Sequence, residues 1–502
     1  MSWIRAMTEK ETIRRLATGV PGFDEVLGGG LPELSFNLIA GLPGSGKTTL
    51  AHQMMFSLAT PERRAIYFSV MGEPQSKMLR YQQQFDFFDT RVLNQSIQFI
   101  SLSDEAMGGD LQQVTWRIAE EVAFHSPALI FVDSFRCVVQ AGQARDGASE
   151  ALQRLVQQLG VFMSSLKITS LLIGEYSDFQ DANPVVTMAD GLIWMRQTVQ
   201  RDSVVRKMEI MKMRGQSSLP GLHTFRIGPA GIQVFPPARS FELAPKPASL
   251  PDEPRLLMGV PALDEMLGGG LPRGYSLLIS GPSGSGKTIL SSSFLAEGAR
   301  RGEMGILAVF EQSPDRSRNP LLSDLVERGC VSVVDTRHPD LSIDEIVLLL
   351  VHEIRRTNAT RVVIDSLSGC ELSLAPTFRD NFRESLLRMM NALAATGVSV
   401  VLTCELEDRY MDFRFSPYGT AFLTDAIIVQ RYIEVDSRLR RMIAVVKLRG
   451  SAHSDELREF TIDGAGLRIG NKLASQEGLL GGRPTHKELA YPDRNEPVDK
   501  LA

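Results

Sequence analysis

The chain has 502 residues, 43% of them hydrophobic and 23% charged, with a formal net charge of −5; that length suits two domains of roughly 200–250 residues each rather than one core. The mildly acidic balance gives no general attraction to polyanions, so composition does not point to nucleic acid. Four widely spaced cysteines, Cys137, Cys330, Cys370 and Cys404, form no CxxC pair, which argues against a zinc site or disulfide framework and reads as small buried residues in a reducing compartment.

The amino-terminal MSWIRAMTEKETIRRLATG lacks the apolar stretch of a secretory signal, and no apolar run approaches the roughly 20 residues of a membrane helix. A cytoplasmic location is expected. GVPGFDEVLGGGLP follows at 19–32, and the predicted strand LSFNLIA leads into GLPGSGKT at 41–48. The β-rich runs RAIYFSV, SIQFISL, ALIFVD and TSLLIGE then alternate with amphipathic helical stretches, and MKMRG at 211–215 closes this half. Proline-dense FPPARSFELAPKPASLPDEPR at 235–255 excludes helix or central strand and reads as an extended linker, with a boundary near residue 245.

The order then repeats. GVPALDEMLGGGLP at 259–272 is followed by YSLLIS, GPSGSGKT at 281–288, GILAVFE, VSVVD, RVVIDS, VSVVLTCE and finally VKLRG at 446–450. The opening segments and the Gly-rich loops of the two halves stand at one and the same offset, far too long for a solenoid unit, so the repeat means two whole domains in tandem. Nearly continuous apolar strands separated by helices predict an α/β fold in each half, with a mainly parallel sheet covered on both faces. The late runs DAIIVQRYIE and RRMIAVVKL have no helix between them and are expected to form an antiparallel extension. The expected domains are 1–245 and 246–470, with 471–502 a flexible tail of little apolar periodicity.

A Gly-rich turn from strand to helix, ending in Lys-Thr, surrounds a phosphate with backbone N–H groups and a helix N-terminus. The first loop contributes Gly41, Gly44, Ser45, Gly46, Lys47, Thr48 and Thr49; the second contributes Gly281, Gly284, Ser285, Gly286, Lys287 and Thr288. Lys47 and Lys287 are expected to reach the β- and γ-phosphates of ATP, and Thr48 and Thr288 to ligate Mg²⁺. A Mg²⁺·nucleotide site also needs a carboxylate at the end of a second buried strand, and Asp133 and Asp365 each follow four apolar residues.

Through these loops, the GGGLP openings, IDS and KLRG, the span 13–470 resembles the KaiC family of RecA-superfamily ATPases. The resemblance implies two tandem RecA-like P-loop NTPase domains, ATP held between neighbouring subunits, and a homo-oligomeric ring, usually a hexamer. It further implies a glutamate pair after the second strand, the first member polarising the attacking water. Glu311 takes that place in the second half, followed by Gln312; in the first half Met71 and Gly72 stand there. Glu73 lies one or two residues away, either as a solvated or capping acid or as a displaced substitute. Hydrolysis is therefore expected chiefly in the second half. The pairs Lys212 with Arg214 and Lys447 with Arg449 place two cations on one face of a strand, and by resemblance they cross the subunit interface to the neighbour's γ-phosphate.

Three other readings follow from the same residues. Family resemblance implies Ser/Thr autophosphorylation, but the acceptor positions hold Ala421 and Phe422, with Ser416, Thr420 and Thr424 nearby. A DNA-dependent motor would need basic, aromatic loops, whereas QAGQARDGASE, YSDFQDAN and LEDRYMDFRFSPYG are mixed or acidic. A nucleotide-gated scaffold that recruits an unidentified protein partner is the third, and the loss of both glutamates from the first half supports it.

Overall fold

Runs of uninterrupted apolar residues become central strands, because a strand covered on both faces has no use for polar alternation. In the computed structural model the described residues are 13–70, 75–107, 111–134, 161–162, 167–176, 184–200, 203–237, 255–310, 320–336, 340–406, 422–435, 437–464, 466–473, 476–477 and 485–486. They fall into two compact units, Met1–Pro237 and Ala238–Ala502.

The first unit holds a nine-stranded sheet, in the order Ile97–Ser101, Ala65–Ser69, Leu129–Asp133, Thr169–Glu175, Phe36–Gly41, Gly191–Gln200, Ser203–Met213, Leu222–Gly228 and Gly231–Phe235. The second repeats it: Val331–Asp335, Gly305–Val309, Arg361–Asp365, Ser399–Glu405, Ser276–Gly281, Ala426–Val435, Arg438–Leu448, Arg458–Asp463 and Gly466–Lys472. In both, the strand that enters the Gly-rich loop is central and runs parallel to both its neighbours. The late runs Ala426–Val435 and Arg438–Leu448 pair antiparallel with each other, as expected, and Ala426–Val435 also runs parallel to Ser276–Gly281 on its other edge. The strand pairs Gln476–Glu477 with Thr485–His486 in a short antiparallel bridge within the segment expected as a tail.

Alternate residues of each central strand feed two cores. Ile39 packs with Leu50 and Met54 of the helix Lys47–Leu58, while Leu38 and Ala40 face the cluster containing Val114, Ile118 and Val122. That last spacing, one residue every four, is the apolar stripe of the helix Leu111–His125. In the second unit Leu277 and Ile279 pack with Leu290 and Phe294, and Leu278 with Ile346, Leu350 and Ile354. The helix carrying those three, Ile343–Thr357, begins with a reciprocal cap between Ser342 and Glu345. Phe294 is fully buried and lies 4.5 Å under the Arg361 guanidinium. Phe294→Ala is expected to lower the stability of this unit by about 3–5 kcal/mol, seen as an earlier denaturant midpoint. Among the cysteines Cys370 and Cys404 are buried, their thiols pushed up to about 12 by burial. Cys330 is only half-buried, a departure from the expectation, and Cys137 lies outside the described residues.

Candidate nucleotide site

Both Gly-rich loops leave the C-terminal end of a central strand and enter a helix directly. Gly46 and Gly286 cap those helices with φ of 100° and 102°, a left-handed conformation that disfavours any side chain. Neither helix has a side-chain cap at its start, so first-turn N–H groups remain open to an anion. Lys47 Nζ donates to Leu42 O at 2.8 Å, and Lys287 Nζ to Gly281 O at 2.9 Å and Pro282 O at 2.8 Å. Each ammonium thus folds back over its own loop. Burial pulls the Lys47 ammonium below its ordinary value, opposed by the charges of Glu175 and Asp133.

The expected threonine and aspartate oxygens come together twice. Thr48 Oγ1 donates to Asp133 Oδ2 at 2.8 Å, and Thr288 Oγ1 to Asp365 Oδ2 at 2.7 Å. The peptides Asp133–Ser134 and Asp365–Ser366 are both cis. A hydroxyl and a carboxylate are hard oxygen donors that fit Mg²⁺, which commonly takes one or two protein oxygens and fills its octahedron with phosphate and water. Among the described residues no cluster of three or more His, Cys, Asp or Glu could cage a metal by itself.

The support behind each aspartate differs. Asp133 Oδ2 also accepts from Tyr67 Oη at 2.7 Å, from the strand on its far side. Asp365 Oδ1 accepts instead from Thr403 Oγ1, on the strand nearer the loop. Burial lifts the Asp133 carboxyl above the usual range, opposed by the Tyr67 and Thr48 hydrogen bonds and the Lys47 charge. Tyr67 itself packs against buried His52 with the rings tilted by 36° and their centroids 4.7 Å apart, and burial holds that imidazole down at about 4.

The two cation pairs lie at the other end of the sheet. Lys212 pairs with Leu192, which pairs with Leu38 at the start of the loop strand. Leu38 lies three positions before Gly41, about 10 Å of strand before the loop begins. Lys212 Nζ donates to Thr187 O at 3.0 Å and Arg214 to Asp190 Oδ1 at 3.1 Å. The second unit repeats this, with Lys447 on Thr424 O at 2.6 Å and Arg449 on Phe422 O at 2.9 Å. Lys212 and Lys447 are the penultimate residues of their strands, and both arginines fall just past the strand ends. Burial, then the adjacent arginine, lowers each lysine's pKa, opposed by Asp190 or Asp425.

Glu311, Gln312, Met71, Gly72 and Glu73 lie outside the described residues. The strands leading to them end at Ser69 and Val309, level with Asp133 and Asp365. Ser416, Thr420 and Ala421 also lie outside, as do residues 140–150, 177–183 and 407–419 of the segments weighed as DNA loops. Phe422 is described, with Arg383 stacked 4.6 Å from its ring centre, and Thr424 is fully buried. Sequence reasoning missed two acids. Glu175 and Glu405 end the strands beside the loop strands, in register with Gly41 and Gly281. The terminal Glu shared by TSLLIGE and VSVVLTCE was the available signal.

A family model for the KaiC ATPase matches residues 16–239 and again 256–474. The chain belongs to the KaiC ATPase family. Each matched stretch carries one phosphate loop with its threonine–aspartate pair, so this is a tandem P-loop ATPase with nucleotide-binding domains. It is 27% identical to the circadian clock oscillator protein KaiC of Rippkaea orientalis, across 97% of this chain and 95% of that protein. It is 28% identical to the circadian clock protein KaiC3 of Synechocystis sp., across 97% and 98% respectively. Identity to the circadian clock oscillator protein KaiC 1 of the same organism is 26%, across 95% and 93%. Among the described residues no helix is long and apolar enough to cross a membrane.

Proposed function

We propose that this KaiC-family chain binds Mg·ATP in both units, hydrolyses it chiefly in the second, and assembles into a homo-oligomeric ring, a hexamer by family resemblance. The observation that supports the two nucleotide sites is the recurrence of an uncapped loop helix with Thr48–Asp133 and Thr288–Asp365 bonded across it. Lys47 and Lys287 bind the phosphates; Thr48, Asp133, Thr288 and Asp365 hold Mg²⁺, which when bound neutralises charge developing on the β- and γ-oxygens. Glu311 orients the attacking water in the second site, where the first site has Met71 and Gly72. A thioether neither accepts a proton nor orders water, which supports slow turnover in the first site.

The cation pairs support a ring. Within one unit they sit at the end of the sheet away from the loop, so Lys212, Arg214, Lys447 and Arg449 serve a neighbour's nucleotide. Nucleotide then doubles as glue between subunits and signals its state to a protein partner. The family's acceptor positions hold Ala421 and Phe422, which lack hydroxyls, and Thr424 is fully buried, which leaves Ser416 and Thr420 as the neighbouring hydroxyls for a self-phosphorylating alternative. Counting bound nucleotide tests the two-site reading: two per chain are expected, one for Lys47→Ala or Lys287→Ala, and none for the double variant. An unchanged count in either single variant refutes the assignment. Particle mass should rise several-fold with ATP; a monomer at saturating ATP refutes the ring.

A further inference from the structure

The two phosphate loops are nearly identical in sequence, yet the residues beneath them are not. Ser285, 1% exposed, donates through Oγ to Gln430 Oε1 at 3.1 Å, and Gln430 is 0% exposed. The same residue presses on the loop's first glycine: a Cβ built on Gly281 would stand 2.7 Å from Gln430 O and 3.0 Å from its Cβ. Gln430 follows Val429, the strand partner of Ser280. In the first unit Met195 takes that place, following Trp194, the partner of Ala40, and pairing with Gly41.

Met195 offers Ser45 nothing to donate to. Ser45 is fully buried and its Oγ finds no partner among the described residues. A Cβ on Gly46 would meet Ile227, Met195 and Ile232 within 4 Å, and one on Gly286 would meet Ile462 and Phe460, so apolar lining is common to both loops and the difference lies at Ser45 and Ser285. A buried hydroxyl with no acceptor penalises the conformation that buries it. Loop shapes that return the hydroxyl to water therefore compete in the first unit, and the Gln430 bond opposes them in the second, where the atom without a partner among the described residues is Gln430 Nε2, on the strand and not on the loop. Affinity falls with the fraction of loops already in the binding shape.

We propose that Gln430 is a positioning residue that pre-forms the second phosphate loop for nucleotide, and that Met195 leaves the first loop to be shaped by the nucleotide itself. This rests on reading both loops as nucleotide sites. It adds an inequality in binding to the inequality in hydrolysis, and it arises on a strand remote from the glutamate positions.

Amide hydrogen exchange in the full, nucleotide-free chain reads the loops directly. Residues 41–48 are expected to exchange faster than 281–288. Gln430→Met should speed exchange at 281–288 about three- to tenfold and weaken Mg²⁺ with a fluorescent ADP analogue at the second site by the same factor, titrated in a Lys47→Ala background. Met195→Gln should slow 41–48. Removing the hydroxyls separates the loops further: Ser285→Ala should reproduce Gln430→Met, whereas Ser45→Ala should slow exchange at 41–48. Unchanged exchange at 281–288 in both Gln430→Met and Ser285→Ala overturns the proposal, as does faster exchange at 41–48 in Ser45→Ala. If the ADP analogue binds neither loop, the nucleotide reading falls while the exchange data still decide the brace.

Discussion

Glu311→Gln is expected to reduce ATP turnover of the full chain by at least about 10²-fold, the lower end of what loss of general-base assistance costs. The amide keeps the size and the polarity of the side chain but neither accepts a proton nor orients water as a carboxylate does. Bound nucleotide should stay at two per chain, because nothing in the loops is disturbed. What remains is the rate of the first site, where Met71 and Gly72 occupy the glutamate places. The measurement is steady-state phosphate release together with nucleotide content. Turnover within a few-fold of the parent chain would show that the second pocket is not the main catalyst.

Arg449→Ala should be as severe by a different route. An arginine supplied to transferring phosphate contributes about 10³–10⁵ in rate in related chemistry, and this one lies at the end of the sheet away from its own loop. Mixing provides the sharper test. Chains carrying Glu311→Gln and chains carrying Arg449→Ala are each expected to keep only the slow rate of the first site when alone. Co-assembled in equal amounts, roughly a quarter of junctions unite an intact Glu311 with an intact Arg449 from the next chain, as random heterologous assembly requires. Activity should return to about that fraction of the parent rate. No recovery in verified mixed particles would remove the cations from the neighbour's site.

The sequence made the duplicated architecture readable because each half repeats its signals in one order: GGGLP, the loop, an apolar strand ending in Asp, and KxRG. Thr48 Oγ1 and Asp133 Oδ2, singled out from the sequence, lie 2.8 Å apart in the fold. What escaped depends on register between strands distant in the chain. Nothing local tells that Tyr67 supports one aspartate and Thr403 the other. Likewise Gln430 and Met195 look like ordinary residues of late strands until pairing sets them under Ser285 and Ser45. The shared final glutamates of TSLLIGE and VSVVLTCE were visible, but only the parallel register sets Glu175 and Glu405 level with Gly41 and Gly281. The late strand Ala426–Val435 pairs antiparallel with the strand after it, as its helix-free spacing suggested, but nothing local tells that its other edge runs parallel to the central strand.

The placement of Lys212 and Lys447 at the tail of the sheet, with the grip at its head, limits the geometry of self-association. A two-fold handshake matches one patch to itself, so it would have to span both extremities of the domain at once. Joining head to tail needs no such span, but every new member then leaves another open socket. In the ring proposed above, all sockets are filled only when the last copy meets the first.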